Sequence, residues 1–134
     1  MTSTGVPQPK SAPTRPTADI IDRASALSRV DEDGELMASL LDIFFTEASP
    51  MMDAIRAAVT SNDPEKLEKA AHRLKGSTSI FCAEDTTQAA LALEKMGRAG
   101  DITKAAEAFA HLEQQMTSLQ AALKQFRDEL QSSS

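Results

Sequence analysis

The stretch "AAEAFAHLEQQMTSLQAALKQFRDEL", residues 105–130, carries the clearest periodicity in the chain. Ala105, Phe109, Leu112, Met116, Leu119, Leu123, Phe126 and Leu130 follow one another in steps of four and three. That spacing lays a single apolar stripe along a long helix. Alone, such a helix could be one strand of a coiled coil. The preceding sequence offers it internal partners instead.

Working backwards, Gly100 is a helix-ending residue and Asp101 is expected to cap the last helix. A helix over about 83–98 precedes it. Asp63 and Pro64 form a start signal for a helix over about 63–81. Ser49 and Pro50 repeat that signal, so a new helix, or a kinked continuation, runs from Pro50 to about Ser61. Before it, "DEDGELMASLLDIFFTEAS" places Leu36, Leu40, Ile43, Phe44 and Ala48 at helical spacing. "DIIDRASALSRV" is a short helix. Short connections make neighbouring helices antiparallel. The expected fold is all-α: an antiparallel up-and-down four-helix bundle with a short additional N-terminal helix.

The division of the chain follows from composition. Residues 1–18 hold four of the six prolines together with Ser, Thr and Gln, a mix that cannot bury a core and reads as a linker or tail. Residues 19–131 form the bundle, and 132–134 are a frayed end. At 134 residues, there is room for one domain with a real core. Aromatic residues are only 4%, without Trp or Tyr, so alanine and leucine must fill it.

Charge and composition exclude several functions. The formal charge is −6, the wrong sign for neutralising phosphates along a nucleic acid, and five Phe make no stacking platform. No stretch is long and apolar enough for direct membrane contact through a spanning helix. The N-terminus lacks the apolar run of a signal peptide, and the single Cys82 allows no internal disulfide. A cytoplasmic location is expected. Two histidines without cysteine partners give no metal site. His111 beside Leu112 is an ordinary surface or rim residue.

Chemistry concentrates at "AAHRLKGSTSIFCA", residues 70–83. On a helical wheel Leu67, Ala70, Leu74, Ser77, Thr78 and Phe81 gather on one side, and His72 points away from them among Glu65, Glu68, Lys69, Lys75, Gly76 and Ser79. Gly76 costs a helix roughly 1 kcal/mol relative to alanine. Nothing about an exposed position demands it. One turn after His72, it removes the side chain that would lean over the imidazole. Lys66, Lys69, Arg73 and Lys75 make this turn basic within an acidic chain.

These residues resemble a family. "AHRLKGS", residues 71–77, is similar to the phosphorylation-site motif His-x-Leu-Lys-Gly-Ser/Ala of histidine-containing phosphotransfer (HPt) domains. "RVDEDGELMASLLDIFFTEASP" resembles the opening helix of that family. "LEKMGRAGD", residues 93–101, resembles its Leu-Glu…Arg-x-Gly-Asp turn. Together the resemblance spans about residues 20–130. Two departures stand out. Cys82-Ala83 occupies the place of a frequent Gly-Ala pair, and Thr86 and Thr87 stand where apolar residues are frequent, which is expected to loosen the packing of that helix.

The resemblance implies that His72 accepts a phosphoryl group from a receiver-domain aspartyl phosphate and relays it to another receiver. An imidazole with the ordinary pKa of about 6.5 is largely neutral at pH 7 and able to attack phosphorus. Lys75 would offset the charge on the phosphoryl oxygens, and Gly76 would give clearance for the partner. Partner docking is assigned to Phe44, Phe45, Lys69, Arg73 and Ser79. The outward members of the pairs Phe44/Phe45 and Met51/Met52 would form an apolar patch. The implied partners are receiver domains of response regulators or a hybrid sensor kinase. No cofactor of its own is implied, because the divalent metal would belong to the receiver. No ATP-binding signature appears, and the domain is expected to be a monomeric carrier rather than an enzyme with its own active site. Two alternatives are the phosphoacceptor domain of a chemotaxis-type histidine kinase and a helical interaction module that carries no phosphate.

Overall fold

The computed structural model describes residues 20–132. The expected tail over 1–18 and the last two residues lie outside that range. Among the described residues the ordered elements are helices: α1 (Arg23–Ser28), α2 (Gly34–Thr60), α3 (Pro64–Ser79), α4 (Glu84–Ala99) and α5 (Ala105–Ser132). Helices α2 to α5 each pack on their neighbour in sequence, and α2 closes the ring against α5. That is the expected up-and-down bundle.

Three aspartates start three helices. Asp22 accepts from the Ser25 amide at 3.0 Å, Asp33 from the Leu36 amide at 3.0 Å and Asp63 from the Lys66 amide at 3.1 Å. Each satisfies an otherwise orphaned N–H group of a first turn. Gly100, at φ 76°, ends α4 in the left-handed conformation. Asp101 does not cap α5. It binds the Thr103 amide and hydroxyl at 3.3 and 2.9 Å, closing a turn before the helix begins at Ala105.

Helix α2 runs without a break through Pro50. Its buried stripe is Met37, Leu41, Phe44, Ala48, Met51, Ile55 and Ala58. This corrects the phase expected from the sequence, because Leu36 and Ile43 lie 45% and 58% exposed. Cut at Ser49, the segment offers two nearly equivalent apolar stripes. Continued past Pro50, only the stripe containing Phe44 and Ala48 keeps its step of three and four as far as Ala58. Phe44 meets Phe81 edge to face, with ring centroids 5.5 Å apart. On α3 the buried positions are Leu67, Ala71, Leu74 and Thr78, with Ala70 and Ser77 only half-buried. Every position of the apolar stripe on α5 is buried except Leu130, which is half-buried.

The α3–α4 pair is the most extensively packed in the molecule. One residue makes that possible. A Cβ on Gly97 would lie 2.6 Å from the Glu68 amide nitrogen and 2.6 Å from the Pro64 carbonyl oxygen. Only glycine lets the two backbones come so close. At the other end, Thr78 and Thr87 hydroxyls hydrogen-bond at 2.8 Å across the two helices. Thr87 therefore ties α4 to α3, and the loosening expected from the sequence does not occur there. Cys82, in the turn between them, has φ 55°, a conformation that explains why glycine suits this position.

Candidate functional site

The face of α3 that carries His72 also borders α4, and the tight packing set by Gly97 brings a carboxylate under the imidazole. Glu94 on α4 falls in line with Ala90, Leu93 and Gly97 and is 2% exposed. Its Oε2 accepts from His72 Nδ1 at 2.9 Å and from an Arg98 terminal guanidinium nitrogen at 2.6 Å. Its Oε1 lies 2.8 Å from Lys75 Nζ. Arg98 Nε reaches back to Glu68 on α3 at 3.1 Å. A buried carboxylate thus gathers three cationic or cation-forming groups from two helices.

Electrostatics keep Glu94 ionised. Burial alone would push its carboxyl upward, but the hydrogen bonds and positive charge of Lys75, followed by those of His72, pull it below the ordinary glutamate value. The Arg98 guanidinium is raised by the hydrogen bond to Glu68 and the charge of Glu94. An ionised carboxylate only accepts, so His72 Nδ1 must carry the hydrogen that the bond uses. In the neutral imidazole the lone pair then resides on Nε2. That nitrogen has no partner among the described residues, and the side chain is 66% exposed.

The other residues singled out in the sequence are placed as follows. Lys75 is 28% exposed, its ammonium held by Glu94 rather than standing free. Gly76 is exposed, and a Cβ there would meet nothing within 4 Å. No packing inside the fold requires it. Lys69 and Arg73 are exposed, with ion pairs to Glu65 at 3.5 Å and Glu47 at 2.8 Å. Ser79 is half-buried. Its hydroxyl donates to the Gly76 carbonyl at 2.9 Å and its own carbonyl accepts from Arg29 at 2.7 Å, so its polar atoms are engaged internally. Phe44 is a core residue with no surface to offer, and Phe45 is half-buried against the same core. Met51 is buried and Met52 half-buried. The exposed large apolar side chains of α2 are Leu36 and Ile43.

Glu94 and Arg98 had no role assigned from the sequence. The available signal was a glutamate inside the apolar stripe Ala90, Leu93, Gly97, with an arginine one turn later. Among the described residues no group of three or more His, Cys, Asp or Glu side chains could hold a metal ion. No helix among them is long and apolar enough to cross a membrane.

The Hpt domain model matches residues 39–122, which takes in His72, Lys75, Gly76, Glu94 and Arg98. The chain belongs to the Hpt domain family. It is a histidine phosphotransfer domain of two-component phosphorelay. The sensor protein TorS of Escherichia coli (strain K12) is 34% identical over 79 residues, covering 55% of this chain and 9% of TorS. The chain therefore spans about a tenth of the length of that relative. The crystal structure of histidine-containing phosphotransfer protein B (HptB) from Pseudomonas aeruginosa PAO1 matches with a TM-score of 0.76 at 23% identity. That match covers 82% of this chain and 96% of HptB, and shows a shared fold.

Proposed function

We propose that His72 is the phosphoacceptor of this Hpt domain, and that it takes a phosphoryl group from a receiver-domain aspartyl phosphate and passes it to another receiver. One observation carries the assignment: an exposed imidazole whose Nδ1 is tied to a buried carboxylate, beside a glycine that the fold does not need. Nε2 attacks phosphorus as the bond to the aspartyl oxygen breaks, and the electron pair leaves on the donor carboxylate. The ring gains positive charge while Nδ1 keeps its proton. Glu94, fixed 2.9 Å away, stabilises that charge without moving. The same bond keeps the phosphorylated ring protonated at Nδ1, which makes it a good leaving group toward the next aspartate. Lys75, one turn after His72 and held 2.8 Å from Glu94, is the cation assigned to offset the phosphoryl oxygens. The domain supplies position and charge, and the divalent metal of the reaction belongs to the receiver. In this role the domain is a cytoplasmic, monomeric carrier with no autonomous active site or cofactor.

The test is phosphoryl transfer from receiver domains charged with acetyl phosphate. Intact mass is read before and after mild acid, with His72→Gln in parallel. An acid-labile gain of one phosphoryl group in the wild type and none in the variant is expected. No gain from any receiver, or an equal gain in His72→Gln, would refute the assignment. Labelling only by an ATP-binding kinase domain would point to the chemotaxis-type alternative.

A further inference from the structure

One oxygen of Glu94 serves two donors from different helices. Oε2 accepts from His72 Nδ1 at 2.9 Å and from Arg98 at 2.6 Å. The other oxygen, Oε1, lies 2.8 Å from Lys75 Nζ. Arg98 in turn reaches Glu68 through Nε at 3.1 Å. Glu68 stands one helical turn before His72 on α3. The rigid fork of a guanidinium can hold two carboxylates at once, and here it joins α3 to α4.

A buried carboxylate beside an imidazole is a hazard for a nucleophile. Left alone, Glu94 would favour the doubly protonated, positively charged ring, and that form has no lone pair with which to attack phosphorus. Two cations on the same carboxylate oppose this. They share its charge and weaken its pull on a second ring proton, while the bond that fixes the hydrogen on Nδ1 is kept.

The other charges around the ring are matched in pairs. On α3, Lys69 is bonded to Glu65, and Arg73 is bonded to Glu47 of α2. Lys75 and Arg98 are bonded to Glu94 itself. Lys75 is assigned to the phosphoryl oxygens, so it leaves the carboxylate when it serves them. Arg98, anchored by Glu68, stays.

We propose that Arg98, held in place by Glu68, is a positioning residue for the phosphoacceptor: it takes up part of the Glu94 charge and so keeps Nε2 of His72 free of a competing proton. It acts through Glu94 and not on the ring directly. The inference rests on the carrier assignment of His72 and adds to it the residue that holds the nucleophile in its reactive form.

The test is the pH profile of labelling by phosphoramidate, which needs no protein partner. Nε2 bonds to phosphorus as the P–N bond breaks and ammonia leaves, and the ring keeps its hydrogen on Nδ1. Wild type, Arg98→Met, Arg98→Lys and Glu68→Gln are compared from pH 6 to 8.5, with His72→Gln as the blank. Each rate is divided by that of wild type at the same pH, which cancels the titration of the donor. Arg98→Met is expected to label about three- to tenfold more slowly at pH 6 and within about twofold of wild type at pH 8.5. Arg98→Lys keeps the charge without the fork and should restore most of the rate at pH 6. Glu68→Gln removes a carboxylate near the ring and leaves Arg98 to Glu94, so its relative rate at pH 6 should rise, by up to about twofold. Circular dichroism checks folding, and if Arg98→Met does not fold the other two variants decide. A loss that is equal at all pH values, or no loss, would overturn the role of Arg98. So would a failure of Arg98→Lys to restore the rate at pH 6, or a fall there in Glu68→Gln, since either would make the arginine a structural clamp. If wild type does not label, or His72→Gln labels equally, the carrier assignment falls and this inference falls with it.

Discussion

Replacing Gly76 and Gly97 by alanine, one at a time, sets the same substitution in two mid-helix positions with opposite expected outcomes. At Gly76 the new methyl meets nothing within 4 Å. Alanine is then favoured by helix propensity alone, a gain of about 0.5–1 kcal/mol. At Gly97 the methyl would sit 2.6 Å from two backbone atoms of α3 and 2.9 Å from Glu68 Cα. An ordinary contact needs ~3.5 Å, so α3 must retreat by about 1 Å. Overpacking of that kind costs about 1–3 kcal/mol, and with three backbone atoms in the way the upper part, about 2–3 kcal/mol, applies; ~1 kcal/mol of propensity offsets it, for a net loss of about 1–2 kcal/mol. The two variants should differ by about 1.5–3 kcal/mol, or roughly 10 °C in melting temperature. Urea and thermal unfolding followed by circular dichroism read this directly. Phosphoramidate labelling of Gly76→Ala should stay within about twofold of wild type while transfer from a charged receiver slows several-fold, because the methyl obstructs a partner and not the imidazole. A destabilised Gly76→Ala, or a Gly97→Ala as stable as wild type, would refute the assignment of clearance to one glycine and helix contact to the other.

Glu94→Gln should destabilise the domain by about 1–3 kcal/mol at neutral pH, the low end for a broken buried network because His72 and Arg98 can turn to water. Since the folded Glu94 carboxyl lies below its ordinary value, its contribution is complete above about pH 4.5 and is lost as pH falls through the folded value. The urea midpoints of wild type and variant should therefore converge in acid, and parallel curves down to about pH 3 would contradict the direction assigned. Phe44→Ala should cost about 3–5 kcal/mol and Ile43→Ser less than about 0.5 kcal/mol by urea unfolding, because Phe44 is 3% and Ile43 58% exposed. The reverse order would place the α2 stripe in the wrong phase. Pro50→Ala restores an amide inside a continuous, exposed stretch of α2 and should raise the melting temperature by several degrees. A fall would show that the proline shapes the bundle.

The limits of the sequence follow from what kinds of force act at each position. Periodicity reports burial against a neighbour, so the stripe of α5, which is buried from Ala105 to Phe126, was legible residue by residue. Local capping chemistry was legible at Asp63 and Gly100, where the deciding bonds lie within a few residues. Asp101 has the same chemistry, yet spends it on Thr103, because the choice between a turn and a cap depends on where α5 docks. The phase of α2 depended on a single question, whether the helix survives Pro50, which propensity answers in the negative and the packing of Met51, Ile55 and Ala58 answers in the positive. His72, Lys75 and Gly76 were visible together because one helical turn holds them. Glu94 was not, because its meaning comes from a residue 22 positions away. Gly97 was hidden for the same reason.

Glu94 joins the fold and the chemistry in one side chain. Removing it from water is unfavourable, and its bonds to His72, Lys75 and Arg98 offset that cost only while α3 and α4 stay as close as Gly97 allows. The position of the His72 imidazole is thus fixed by helix packing, well away from any loop. A carrier must both accept and release a phosphoryl group, so the imidazole cannot be stabilised in one state at the expense of the other. A carboxylate at Nδ1 meets that requirement, since it favours the charge that develops on attack and again on departure. In the role proposed for His72, rigidity on the α4 flank serves the chemistry common to every exchange.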